Sequence, residues 1–326
     1  MTAATTRADV HRRPTAVLND LVHRGAAVWI IVGLLVLALT ILRGGALWTT
    51  GNLAALLTSA VVLGLVALGQ HTVILTGGID LSIGALVTLV TLLTAVLIDG
   101  YPVRTVPVVV GALLLAGMLG AINGVLVTKL GMQPFIVTLG TLYVFSGTAL
   151  LISDTPAGRV TSGLSALAIG RIGPIPYIFF LLVFAIVVSW CLLNLTAWGK
   201  HVVATGGDLE AARVIGINVD RVRIKAYAVA GLLAAAAGII LAARSSVGSP
   251  TAGEGLELSA ITVVVLGGTS LLGGRGTLLG TMGGVALLSL ITNSITLLQF
   301  PSTITDLIRG VIIIAAVSIF VSKTRK

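Results

Sequence analysis

The residues able to do chemistry in this sequence are the few polar ones that interrupt long apolar runs. Asp80 and Ser82 follow the pair Gly77-Gly78, and Gln70 and His71 precede it. A carboxylate inside a bilayer is costly unless it faces a cavity or a partner. Paired glycines permit a helix to break, and non-helical backbone at membrane depth must be buried in protein or line a cavity. Asp80 and Ser82 therefore either lie on a solute path or cap a helix at an interfacial turn. Asn123, Thr138 and Asn293, with Gln133, Ser289 and Thr292, interrupt other apolar stretches. Such groups either tie helices together or hydrogen-bond a polar solute in transit.

The most charged stretch, residues 196–225, reads TAWGKHVVATGGDLEAARVIGINVDRVRIK. Gly206 and Gly207 end one piece of it. The Asp208 side chain is placed to cap a short helix over 209–215, because its carboxylate accepts the free N–H groups of the first turn. Gly216 fits the C-terminal cap. Leu209, Ala212 and Ile215 recur at i, i+3, i+6 and give that helix a narrow apolar face. The segment is either a surface helix that docks in a groove of a soluble partner or a solvated loop with a basic stop-transfer role.

Several chemistries are absent. Gly199-Lys200 is followed by His201, and Asn194 stands where a nucleotide-binding loop needs its first glycine. His11, His23, His71 and His201 lack metal-ligand spacing. The single cysteine, Cys191, excludes a disulfide framework. No nucleophile–base arrangement is legible, so a membrane-embedded enzyme has no support.

These residues sit in a chain of 326 residues, of which 10% are charged and 56% hydrophobic. An ordinary soluble protein carries about 25% charge, so a soluble enzyme, a nucleic-acid-binding domain and a disordered chain are excluded. A crossing helix needs about 20 apolar residues. Ten stretches qualify: 26–42, 53–76, 81–98, 106–127, 134–152, 177–195, 226–243, 258–272, 278–297 and 304–321. Glycine pairs interrupt the third, eighth and ninth. Residues 72–84 laid on 262–274 agree at six of thirteen positions, a hint of an internal repeat. The expected organisation is a cytoplasmic tail at 1–25, a transmembrane domain at 26–322 containing the segment 196–225, and a cytoplasmic tail at 323–326.

With the N-terminus inside, fourteen of the twenty Lys and Arg residues fall on the inner side and five on the outer, with Arg309 inside the last span. That bias sets the orientation and places both termini in the cytoplasm. The net charge of +9 is then a topological signal that needs no nucleic acid. The basic N-terminus followed by apolar residues reads as an uncleaved first span, for want of a small-x-small cleavage site.

Four motifs together resemble one family. GGIDLSIG at 77–84, NGVLVTKLGMQPFIVTLGTL at 123–142, GGDLEAARVIGINV at 206–219 and VVVLGGTSLLGGRGTLLGTMGG at 263–284 resemble, in order, the ribose/xylose/arabinose-type ABC importer permeases. The resemblance runs from about Leu53 to the last span. It implies an all-α polytopic protein of the bacterial inner membrane that forms the translocation pathway for a monosaccharide. It implies three partners: a separate ATPase subunit that binds ATP and Mg, a periplasmic or lipid-anchored sugar-binding protein, and a second permease subunit. No cofactor is expected in this chain. Glu210, Ala211, Ala212 and Gly216 fit the E-A-A-x-x-x-G pattern of ABC permeases, so Gly206, Gly207, Asp208, Glu210, Ala211, Ala212, Arg213 and Gly216 are expected at the ATPase contact. The missing I-x-L-P tail favours the vitamin-B12-permease-like, type II importer architecture. The family shares the acid at Asp80, which with Ser82, Asn123, Thr138 and Asn293 is a candidate for the path. The alternatives are an ABC permease for a nucleoside or furanose-like signalling sugar, and a secondary carrier for small polar solutes. A carrier driven by protons or sodium usually needs more acids within its spans than this chain has.

Overall fold

The structure is a computed structural model that describes residues 26–299 together with 307, 310 and 311. The tails at 1–25 and 323–326 lie outside the described residues, as does the tenth expected span at 304–321 apart from those three positions.

Helices α1 (Ala26–Arg43), α2 (Thr50–Leu75), α3 (Ile83–Ile98), α4 (Pro102–Lys129) and α5 (Pro134–Ile152) follow one another through short connections. Pro102 and Pro134 open α4 and α5, where a missing N–H costs no hydrogen bond. A short helix α6 (Ser162–Ile169) leads to a two-stranded antiparallel hairpin, β1 (Arg171–Ile172) and β2 (Ile175–Pro176). Gly173, at φ +59°, makes its turn. This hairpin is a small departure from the all-α expectation. Then come α7 (Tyr177–Leu195), α8 (Ala197–Gly207), α9 (Leu209–Val214), α10 (Val219–Ser245), α11 (Leu256–Leu266) and α12 (Leu278–Leu297). Among the described residues, α1, α2, α4, α5, α7, α10 and α12 are long and apolar enough to cross a membrane, while α3 and α11 are apolar but shorter.

The bundle is organised around α10, which packs against α4, α2 and α3. Its Ala-rich sequence lets other backbones come close, and Ala230, Ala234, Ala237 and Ala242 are fully buried. A Cβ at Gly120 of α4 would overlap the Tyr227 carbonyl, and one at Gly231 would overlap the Ala116 carbonyl. Small residues at a crossing are the usual means by which helices associate in lipid, where no hydrophobic effect drives them together.

Contacts between the connections define two ends of the bundle. At one, α8 and α9 meet the connections after α2, α4 and α11; Lys129 pairs with Asp220 here. At the other, the hairpin end, Gly100 N–H donates to the Arg159 carbonyl, and Ser165 and Ser246 hydroxyls meet at 2.8 Å. Lys129, Lys200, Arg213, Arg221, Arg223, Lys225 and Arg275 belong to the α9 end, and Arg43, Arg104, Arg159, Arg171 and Arg244 to the hairpin end.

The expected eighth span, 258–272, is too long. Helix α11 has only 11 residues and stops at Leu266. The cause is a Schellman cap: Thr269 N–H donates to the Val264 carbonyl, Gly268 N–H to the Val265 carbonyl, and Gly268 has φ +86°. Helix α2 ends in the same way, with Gly78 N–H on the Val73 carbonyl, Gly77 N–H on the Ile74 carbonyl, and Gly77 at φ +75°. The two breaks therefore correspond as the repeat suggested, but with Gly77 opposite Gly268, one residue off the sequence alignment.

A third irregular stretch, 246–255, runs back into the bundle along α3. Gly248 N–H donates to the Ala157 carbonyl and Ala157 N–H to the Gly248 carbonyl, both at 2.9 Å, close to Ala95. Further on, Gly253 N–H donates to Thr88 Oγ1 at 2.9 Å, against the first turn of α3.

Candidate translocation and coupling sites

The break between α2 and α3 gathers four of the five path candidates. Asp80, Ser82, Asn123 and Thr138 are all buried. One Asp80 carboxylate oxygen accepts from Ser82 N–H at 2.9 Å and Ser82 Oγ–H at 2.6 Å. Asn123 Nδ2 donates to Ser82 Oγ at 2.8 Å, which ties α4 to the break. Thr138 of α5 donates to the Ile79 carbonyl at 3.2 Å, and Tyr227 of α10 donates to the same oxygen at 3.3 Å. The Gln70 carboxamide is oriented to donate to the Asp80 carbonyl at 3.0 Å and accept from its N–H at 3.2 Å. This network satisfies the backbone freed by the break, as burial in lipid requires. In this conformation Asp80, Ser82 and Asn123 bond in series, the Thr138 hydroxyl bonds the backbone carbonyls of Ile79 and Pro134, and Asn123 Oδ1 is buried without a described partner. They hold the shape of the break.

Asn293 is elsewhere. Its carboxamide and that of Asn52 exchange hydrogen bonds at 2.8 and 3.2 Å, joining α12 to α2 near the hairpin end. It is a helix tie. Ser289 is buried on the same helix, its hydroxyl without a described partner.

At the α9 end the Asp208 carboxylate accepts from the N–H groups of Glu210 and Ala211 at 3.0 and 2.9 Å, as a helix cap should. Gly216, at φ +87°, closes the helix, with its N–H on the Arg213 carbonyl and Ile217 N–H on the Ala212 carbonyl. The expected apolar face is corrected. Ala212 packs inward at 2% exposure, but Ile215 is 73% exposed beside Val214 at 86%. The cap turns the chain after Val214, so Ile215 leaves the helical face. Arg213 bonds Glu210 at 3.1 Å and lies 3.8 Å from Asp220, which fixes α9 to the start of α10. The outward surface of α9 is made by Glu210, Ala211, Val214 and Ile215.

Sequence reading missed what joins these two regions. The glycine pairs 77-78, 206-207 and 273-274 converge at one point. Gly274 N–H donates to the Leu75 carbonyl at 3.0 Å, bridging the two breaks. A Cβ at Gly206 would overlap that carbonyl and sit 2.5 Å from Gly274 N; a Cβ at Gly273 would sit 2.7 Å from Gly77 N. The C-terminus of α8 is thus wedged between the end of α2 and the stretch that follows the break after α11. Arg223 adds a cation there, with Nη2 3.5 Å from the Gly77 carbonyl at the C-terminal, negative end of α2. The glycine pairs were visible in the sequence, but nothing in it showed that they meet.

A family model described as "Branched-chain amino acid transport system / permease component" matches residues 52–317. The chain belongs to this permease family. Ribose import permease protein RbsC of Bacillus subtilis is 41% identical over 82% of this chain and 83% of its own length. Fructose import permease protein FrcC of Rhizobium meliloti is 35% identical over 89% of the chain and 83% of its own. Autoinducer 2 import system permease protein LsrC of Salmonella paratyphi B is 38% identical over 81% and 76%. No solved structure matches the permease. The match spans both broken helices, the wedge and the α9 segment.

Proposed function

We propose that this permease forms the pathway of a bacterial ABC importer that carries a monosaccharide across the inner membrane. The observation that carries the reading is the wedge: a charged, surface-presented segment whose glycine hinge bears directly on two breaks in the membrane helices. The sugars named for the relatives, ribose and fructose among them, support a monosaccharide.

In this reading the chain spans the membrane ten times, with both termini cytoplasmic, in the vitamin-B12-permease-like arrangement. Residues 196–225 lie in the cytoplasm. The excess of cations at the α9 end supports that orientation. A separate ATPase subunit holds ATP and Mg and docks on α9. A periplasmic or lipid-anchored sugar-binding protein delivers solute at the hairpin end, and a second permease copy or similar chain completes the pore. Closure of the ATPase pair moves α9 and α8. The Gly206 contact passes the motion to the breaks at 76–82 and 267–277, and the pathway exchanges its openings. Asp80, Ser82, Asn123 and Thr138 serve that change as the lock of the first break, and Asn293 keeps α12 on α2. Glu210, Ala211, Val214 and Ile215 present the docking surface, with Ala212, Arg213 and Asp208 holding it in place.

A second reading, a furanose-like signalling solute as cargo, is favoured by the similarity to the autoinducer 2 permease. Both readings are tested by reconstituting the permease with its ATPase and binding protein in vesicles and measuring uptake of labelled ribose with unlabelled competitors. Uptake that requires ATP and falls on competition by sugars is the expected result. Uptake driven by a proton or sodium gradient without the ATPase would make the chain a secondary carrier and sink the proposal.

A further inference from the structure

Glu257 stands at a place where a carboxyl group needs a reason. It is in the first turn of α11, and its Oε2 lies directly against Gly84 of α3, where a Cβ would displace it. Gly84 is 14 residues from Ile98, the hairpin-end terminus of α3, which is about 21 Å along the helix. The hydrocarbon core is about 30 Å thick, so Glu257 lies deep within it. The backbone leading to it agrees. Gly253 is bonded to Thr88, ten residues and about 15 Å from the same end. The stretch 246–255 starts at the hairpin end and is irregular backbone at membrane depth by Gly253, which persists only where it is buried in protein or lines a water-filled cavity.

The side chain is half-buried, not enclosed. Glu257 Oε1 accepts from Gly255 N–H at 3.2 Å, and no described residue donates to Oε2. Thr251 and Glu254 on the same stretch are exposed. Charged and hydroxyl side chains left open at this depth do not face acyl chains, because that placement costs several kcal/mol per charge. Neither the break network around Asp80 nor the α9 wedge uses this group.

We propose that Glu257 is a solute-contacting residue of the translocation path, where its carboxyl group hydrogen-bonds the hydroxyl groups of a polyhydroxylated solute about two-thirds of the way from the hairpin end. Gly255 holds one oxygen and Gly84 packs against the other, while the half-buried side chain keeps an open edge toward the path. The absence of a side chain at Gly84 leaves the room it needs. The inference rests on the importer reading above.

The test uses the full chain with Cys191 replaced by serine, assembled with its ATPase and binding protein in vesicles. Glu257→Cys and Leu114→Cys are compared for modification by a charged, water-soluble methanethiosulfonate. Leu114 is 67% exposed on α4 and lies 12 residues, about 18 Å, from the hairpin-end terminus of that helix. The E257C protein is expected to react at least tenfold faster than the L114C protein. Equal or slower reaction would place Glu257 away from water and overturn the proposal. Glu257→Leu is expected to lower ATP-driven D-ribose uptake at least tenfold while keeping ATP hydrolysis stimulated by the binding protein, and Glu257→Gln should retain more uptake than Glu257→Leu. Unchanged uptake in the E257L protein would also overturn it. If the unaltered importer takes up no ribose, the cargo assignment fails, and the labelling comparison still decides the place of Glu257.

Discussion

Gly206 and Gly207 are neighbours of the same type, yet the structure assigns them opposite sensitivities. Replacing Gly206 with alanine puts a methyl group onto the Leu75 carbonyl and 2.5 Å from Gly274 N, the two ends of a 3.0 Å hydrogen bond. An ordinary contact begins at 3.4 Å, so the Gly274 backbone must retreat by about 0.9 Å and the bond opens. A buried donor left unpaired costs about 1–3 kcal/mol, and forcing one extra carbon into a packed contact costs about 1–3 kcal/mol. At the low end these sum to about 2 kcal/mol, roughly a 30-fold shift against the docked position of α8. Gly207 has nothing within 4 Å of its would-be Cβ. Alanine there gains at most about 1 kcal/mol of helix propensity.

The assay is ATP hydrolysis in the reconstituted importer, with and without loaded binding protein, beside the thermal unfolding midpoint of the permease in detergent. The Gly206→Ala protein should keep basal hydrolysis, lose most of the stimulated part and unfold several degrees lower. The Gly207→Ala protein should match the unaltered chain in both measurements. Normal stimulation and stability in the G206A protein would refute the wedge. Equal defects in both variants would show that the loop, not the contact with the breaks, is what matters.

Val214→Glu should abolish stimulated ATP hydrolysis with a stability change within about 0.5 kcal/mol, as expected of an 86% exposed site; Ala212→Glu, by contrast, should lower the unfolding midpoint, because it buries a charge. A double-mutant cycle on Asn52 and Asn293, read as detergent stability, should give a coupling energy of about 0.6–2 kcal/mol, with ribose uptake by the Asn293→Ala protein retained; a path role for Asn293 predicts lost uptake without coupling. Cysteines at Ser165 and Asn218 in a Cys191→Ser chain should react with impermeant reagent from opposite sides of the membrane, and reaction from one side would refute the topology.

The spans were legible because apolar length is a one-dimensional property. The expected spans 134–152, 177–195 and 278–297 coincide with α5, α7 and α12. The α9 segment was legible for a related reason: an N-cap, a short helix and a glycine C-cap are all local, and Asp208 and Gly216 do what their types suggest. What failed was anything that depends on who meets whom. The eighth span ran six residues too far, to 272, because a run of Val, Leu and Gly does not announce a Schellman cap within it. Ile215 was grouped on one apolar face with Leu209 and Ala212 because helical periodicity was carried past the point where the cap ends it. Asn123 and Asn293 were both left between a helix tie and a solute contact, and the sequence names no partner for either. The fold sends one to the Ser82 hydroxyl and the other to Asn52.

Glu257 was overlooked for a more instructive reason. Its neighbours Gly253, Glu254 and Gly255 read as a polar loop before an apolar span, which is how an interfacial turn looks. Depth is what changes its meaning, and depth is fixed by α3: Gly84 and Thr88 receive the 246–255 stretch well inside the bundle. Scarce charge in a membrane chain is therefore poorly described by counting. Arg213 and Glu210 are charged and sit where water already is, so they mark a surface. Glu257 costs the protein the more, because it is half-buried at a depth where lipid would not solvate it. A chain with only eleven acids sets Glu257 at the start of a helix cut short, with glycine opposite to make room. A structural turn needs none of the three, and the labelling of the E257C protein decides between such a turn and a solute path.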